Sequence, residues 1–123
     1  MQRKFRLTRS EDFKRVRRSG KSYAHPLVVL IVQTHDKRSN PVDQPRVKVG
    51  VAAGRTVGTA VSRNRAKRLL REAVRPLLPR ITPGLDLILI ARPGVVSSTL
   101  EETRQALLTL LQRANILIPL HES

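Results

Sequence analysis

The sequence predicts one α+β domain, a small mixed sheet packed on one side by helices, and three features carry that prediction. The 123 residues fit a single compact domain, spanning 1–123 with a core over about 6–117. Val47, Val49 and Val51 alternate with Lys48, Gly50 and Ala52, the period-two pattern of a strand with one covered face. Ala66, Leu69, Leu70, Ala73, Val74 and Leu77 recur at helical spacing and form one apolar stripe. With the apolar run Leu85–Ala91 after it, this helix completes a β-α-β unit. By the general rule such a crossover is right-handed.

Thr8 and Glu11 have capping-box spacing, and Ser10 is a competing N-cap. Glu11 and Asp12 suit the positive end of a helix over about 10–18, with Phe13 and Val16 on one face and Gly20 placed to end it. Leu27–Val32 is too short for a typical helix and rich in branched side chains, so it reads as a buried strand. The polar, proline-containing stretch from His35 to Pro45 reads as a surface loop, and a strand follows over 47–53. The long helix is expected from about Thr59 to Leu78, with Pro76 bending its last turn and Pro79 closing it. Leu85–Ala91, apolar except for Asp86, is expected to be a central strand covered on both faces. Ser98 and Glu101 form a further capping box, opening a helix to about Arg113 with Leu100, Leu107, Leu110, Leu111 and Ala114 turned inward. From Pro119 the tail is expected to be loose.

Twenty-four basic residues stand against 9 acidic ones, a formal charge of +15. An excess of this size repels itself and is relieved by a polyanion, nucleic acid first and an anionic membrane surface second. The prevalence of arginine favours phosphate, which a guanidinium grips with a planar fork. The absence of cysteine excludes disulfides, thiolate metal sites and cysteine nucleophiles. His25, His35 and His121 have no ligand spacing, and no metal site is expected in the protein. No apolar run reaches membrane-spanning length, and no apolar segment follows the basic N-terminus, so a cytoplasmic protein is expected. No catalytic triad, paired carboxylates or glycine-rich phosphate loop is readable, which argues against self-sufficient catalysis.

At ~100° per residue, Asn64, Arg68, Arg71 and Arg75 fall opposite the apolar stripe, with Lys67 beside them and Arg63 and Arg65 on the flanks. Arg63 lies nearest the apolar border. The window Arg63–Arg75 holds 6 cations and one acid, Glu72. A charged helix face is often merely solvated. Such a face usually mixes signs, because like charges four residues apart repel; Lys67 with Arg71, and Arg71 with Arg75, are such pairs. The pattern favours an anion-binding face, and for RNA the binding should weaken steeply with salt.

The run Ala60-Val61-Ser62-Arg63-Asn64-Arg65-Ala66-Lys67-Arg68-Leu69-Leu70-Arg71-Glu72-Ala73 resembles the signature of the bacterial ribonuclease P protein component, in which Arg-Asn-Arg opens a basic helix. Leu7, Asp12-Phe13, Val16 and Gly20 are similar to that family's first helix, Gly58-Thr59-Ala60-Val61 to the entry of its basic helix, and Asp86–Arg92 to its last strand. Four positions depart from the pattern. Ala66 stands where a larger aliphatic is usual, Val74 and Ile31 where aromatics are common, and Arg17 where phenylalanine is frequent. Phe5, Phe13 and Tyr23 are the only aromatic residues, so a stacking surface is sparse.

The resemblance implies a left-handed β-α-β crossover, against the general rule, in a fold like the second domain of ribosomal protein S5. It implies an accessory subunit of an endoribonuclease whose RNA subunit removes the 5′ leader of precursor tRNA. Mg2+ would be bound mainly by that RNA. The protein, inactive alone, would broaden substrate range and assist at low magnesium. The implied partners are the catalytic RNA and precursor tRNA, with neither a membrane nor a small-molecule substrate. Carried over to this sequence, the catalytic-RNA face comprises Arg63, Asn64, Arg65, Lys67, Arg68 and Arg71, with Arg75 added on geometry. The leader cleft comprises Phe13, Val16 and Arg17, with Lys48 and Arg55 as further phosphate contacts. Phe13 has an equal reading as a core residue, and Lys48 and Arg55 as solvated cations. A ribosomal or other structural RNA-binding protein is the alternative function.

Overall fold

The computed structural model describes residues 10–34 and 47–118. In chain order the regular elements are α1 (Ser10–Ser19), β1 (Lys21–Ala24), β2 (Val28–Thr34), β3 (Val47–Ala53), α2 (Ala60–Val74), β4 (Leu85–Ala91) and α3 (Leu100–Arg113). The strands form one mixed sheet in the order β1-β2-β4-β3; β1/β2 and β2/β4 are antiparallel and β3/β4 parallel. Strands 47–53 and 85–91 lie where their patterns place them, and β4 is central, with neighbours on both sides.

Alternation along the strands divides the core in two. Val28 and Leu30 of β2, Val47 and Val49 of β3, and Leu87, Leu89 and Ala91 of β4 face α2 and α3 in the main core. Ala66, Leu70, Ala73 and Val74 from α2 and Ala106, Leu107, Leu110 and Leu111 from α3 complete it. Ile31 and Ile88 point the other way and pack beneath Val16 of α1, with Phe13, Val29 and Ile90 around them. Helices therefore cover both faces of the sheet, which corrects the one-sided expectation. A single stripe shows that a helix is amphipathic but does not say which sheet face receives it.

Helix ends follow the local chemistry. The Gly20 N–H donates to the Val16 carbonyl at 2.8 Å and ends α1. A Cβ at Gly20 would lie 2.6 Å from Ile31 Cγ2 and 3.0 Å from the Val32 carbonyl oxygen, so only glycine lets the chain turn this close to β2. α2 stops at Val74, earlier than its apolar stripe predicts, and continues as a 3-10 turn over Arg75–Arg80. Pro76 has no N–H to offer the Glu72 carbonyl. Arg104 of α3 fills that gap, its Nη2 donating to Glu72 O at 3.3 Å and its Nε to Ala73 O at 3.2 Å.

Other departures are smaller. β1 was not foreseen, being only four residues with no clear alternation. β2 runs to Thr34. The capping box of α3 is Thr99 with Glu102, one residue beyond the expected pair, while Ser98 Oγ sits 2.8 Å from Thr103 Oγ1. Leu100, expected to turn inward, is 40% exposed at the first position of α3. The Thr8–Glu11 capping box, the loop from His35 to Pro45 and the tail from Pro119 lie, wholly or in part, outside the described residues.

Candidate nucleic-acid interface

The basic helix is set by its entry turn. Gly58, at φ +133°, occupies a backbone region that residues with a Cβ rarely adopt. Thr59 then caps α2, its Oγ1 accepting the Ser62 N–H at 3.2 Å. Ala66 and Leu70 are fully buried, which orients the helix and turns Asn64, Arg65, Arg68 and Arg75 outward. Arg63, Lys67 and Arg71 are half-buried at the borders of the row, Arg63 as the wheel places it.

The electrostatics of this face turn on partners. Arg63, Arg65, Lys67 and Arg68 form no ion pair among the described residues. Arg75 pairs with Glu72 at 3.3 Å, both side chains largely in solvent, an arrangement worth about 0–1 kcal/mol. Arg71 has an interaction of its own within the molecule. α1 opens with Glu11 and Asp12 and α3 with Glu101 and Glu102, but α2 has no acid in its first turn. The acids that would offset its dipole are missing where the cations gather.

The opposite face of the sheet carries a second surface, organised in three cross-strand rows. Gln33, Asp86 and Lys48 form a polar row. Asp86 is 2% exposed; Arg15 of α1 holds it in a close ion pair, hydrogen-bonds Gln33 Oε1, donates to the Thr34 carbonyl at 3.1 Å and lies 3.7 Å from Asp12. A buried carboxylate is tolerable only when paired and hydrogen-bonded in this way. Ser22, Ile31, Ile88 and Gly50 form the middle row, whose Ile31 and Ile88 are closed over by Val16. Ala24, Val29, Ile90 and Ala52 form the third row across all four strands. None of these four is fully buried, and Phe13 packs against Val29 and Ile90. The outcome is an open, mainly aliphatic groove beside α1.

The expected cleft residues divide accordingly. Phe13 is half-buried at the groove edge, packed on the Val16, Ile31 and Ile88 cluster with part of its ring open to solvent. Val16 is fully buried; a side chain with no exposed surface cannot touch a ligand, so it anchors α1 and is removed from the contact set. Arg17 is exposed in the last turn of α1, Lys48 is half-buried in the polar row, and Arg55 is exposed in the 3-10 turn Arg55–Val57 after β3. Arg15, Val29, Ile90 and Ala52 were missed. Strand alternation could have grouped the last three, but the register that aligns them was not readable. Among the described residues no group of three His, Asp or Glu could hold a metal ion, and no helix is long and apolar enough to cross a membrane.

Comparisons with known proteins agree with this architecture. The Ribonuclease P family model matches residues 1–115. The Ribonuclease P protein component of Herpetosiphon aurantiacus is 42% identical over 116 residues, covering 94% of this chain and 89% of that protein. Its counterpart from Brevibacillus brevis is 39% identical, with 98% and 93% covered. Among solved structures, the RNase P protein of Staphylococcus aureus superposes with a TM-score of 0.76 at 25% identity, covering 92% of this chain and 97% of that one. That of Thermotoga maritima gives 0.72 at 27% identity, with 88% and 96% covered. A basic helix seated on a mixed four-stranded sheet, and sequence similarity running almost end to end, place this chain in the ribonuclease P protein family.

Proposed function

We propose that this protein is the accessory subunit of ribonuclease P, docking the catalytic RNA on the outer face of α2 and the 5′ leader of precursor tRNA in the groove beside α1. The observation that carries the reading is the cation group Arg63, Arg65, Lys67 and Arg68, on a helix seated by the fully buried Ala66 and Leu70, with no ion pair among the described residues. Phosphates would relieve the repulsion within that row and release counterions. In the groove the aliphatic row accepts base faces, Phe13 adds an aromatic edge, and Lys48, Arg17 and Arg55 supply charge for the strand's phosphates.

In this reading Mg2+ is bound mainly by the RNA subunit, which performs the hydrolysis. The protein's own work is to bind, orient and neutralise, in the cytoplasm. Reconstitution tests this. Adding the protein to the cognate ribonuclease P RNA should restore leader removal at low magnesium, and the protein without RNA should leave precursor tRNA intact. Cleavage by RNA-free protein, or recovery of ribosomal RNA in place of one ribonuclease P RNA in a pull-down, would overturn the assignment.

A further inference from the structure

Val61 is 78% exposed, against 40% for Leu100 and 39% for Ile118, the other exposed large hydrophobic residues described. Singly exposed apolar residues are ordinary; the position of this one is not. On α2, Asn64, Arg65 and Arg68 lie three, four and seven residues beyond Val61, so it stands in line with Arg68 and between the flanks occupied by Asn64 and Arg65. It heads the cation row, far from the apolar stripe that seats the helix. A branched residue is also a poor choice for an exposed helix position, where its side chain loses rotamer freedom without gaining a packing partner.

We infer that Val61, with Asn64 beside it, contacts an unstacked nucleotide of the RNA bound by α2. The inference rests on the proposed docking of the catalytic RNA there, and it names the kind of RNA segment involved. A regular RNA duplex offers side chains phosphates, 2′-hydroxyls and the base edges of its shallow minor groove, all polar, while its deep major groove is closed to them. Arginines suffice for such a surface, and a valine gains nothing from it. A base or ribose turned out of the stack offers Val61 an apolar face, and a base edge offers the Asn64 amide both donor and acceptor. Arg65 and Arg68 then hold the flanking phosphates.

Salt separates the two kinds of contact. For the full-length protein and the ribonuclease P RNA, Val61→Ser should lower affinity about tenfold at every salt concentration, the size of a lost apolar contact, leaving the log-affinity versus log-salt slope unchanged. Arg68→Ala should reduce that slope by about 0.7–0.9. Val61→Leu should restore affinity, and a fully paired RNA duplex should bind Val61→Ser as it binds wild type. Thermal unfolding should not change, given the exposure of the side chain, and Val61→Ala provides a variant with higher helix propensity. If Arg68→Ala flattens the slope but Val61→Ser and Val61→Ala bind as wild type, the nucleotide contact is wrong and the docking reading stands. If neither position matters, the docking reading fails first. An altered slope in Val61→Ser, or an equal loss on the paired duplex, would also overturn the contact.

Discussion

α1 and α2 are both basic helices, yet one cation of α1, Arg15, is taken up inside the protein, while Arg65 and Arg68 of α2 stay in solvent. α1 is seated by a small apolar contact, Val16 with Ile31 and Ile88, and by Arg15, whose guanidinium is taken up inside the protein by Asp86, Gln33 and the Thr34 carbonyl. α2 is seated by a broad stripe in the main core, and its Arg65 and Arg68 form no ion pair among the described residues. Net charge alone would have treated Arg15 and Arg68 alike. Whether a cation is available to a polyanion depends on what else holds its helix down.

The contrast is tested most severely by weakening each anchor in turn. Leu70→Ala removes a fully buried side chain from the main core and should cost about 2–5 kcal/mol in denaturant unfolding. Arg15→Leu leaves the Asp86 carboxylate without its guanidinium and should cost about 2–4 kcal/mol, less than a wholly enclosed pair because the Arg15 side chain is 22% exposed. The two should differ in what they spare. Arg15→Leu, read on the folded fraction, should weaken binding of leader-bearing precursor tRNA while preserving the salt slope for the catalytic RNA. If it instead unfolds α2 along with α1, the two anchors are not separable.

Next in size is the pair Arg65→Ala with Arg68→Ala. Together these should reduce the salt slope for catalytic-RNA binding by roughly 1.4–1.8 units and leave the unfolding midpoint within experimental error, since neither forms an ion pair among the described residues. A slope equal to wild type would mean that the row is only solvated. Arg17→Ala gives the matching measurement on α1. It should alter precursor tRNA binding and not binding of the catalytic RNA.

Much of this was legible in the residues. The period-two valines locate β3, the stripe from Ala66 to Leu77 locates α2 and predicts which side of it is cationic, and Asp86 stands out in an otherwise apolar strand. What stayed hidden depends on partners distant in sequence. Arg15 and Asp86 are 71 positions apart and nothing local links them. The groove floor exists only once β2, β4 and β3 are in register. Val16 is a cleft residue by the family resemblance alone, and its place on the apolar face of α1 does not reveal what closes over it. α2 ends before its apolar stripe does for a related reason. The stripe runs on to Leu77, but Pro76 denies the Glu72 carbonyl its helical donor and an arginine from α3 supplies it.

The smallest expected effect sharpens the comparison further, because Glu72 places α2 partly in the condition of α1. Arg75 of the outer row pairs with Glu72 at 3.3 Å, both side chains largely in solvent. Such a pair is worth at most about 1 kcal/mol. If RNA must draw Arg75 away from Glu72, that free energy stabilises the free protein and opposes binding by the same amount. Glu72→Gln should then lower stability by about 0.3–0.5 kcal/mol and strengthen catalytic-RNA binding by a similar amount, and the backbone carbonyl that Arg104 holds is untouched by the side-chain change. Paired measurements of unfolding and RNA affinity at one salt concentration decide the point. Equal and opposite changes place Arg75 in the interface, and a loss of stability with unchanged affinity places the RNA boundary before it, between Arg71 and Arg75.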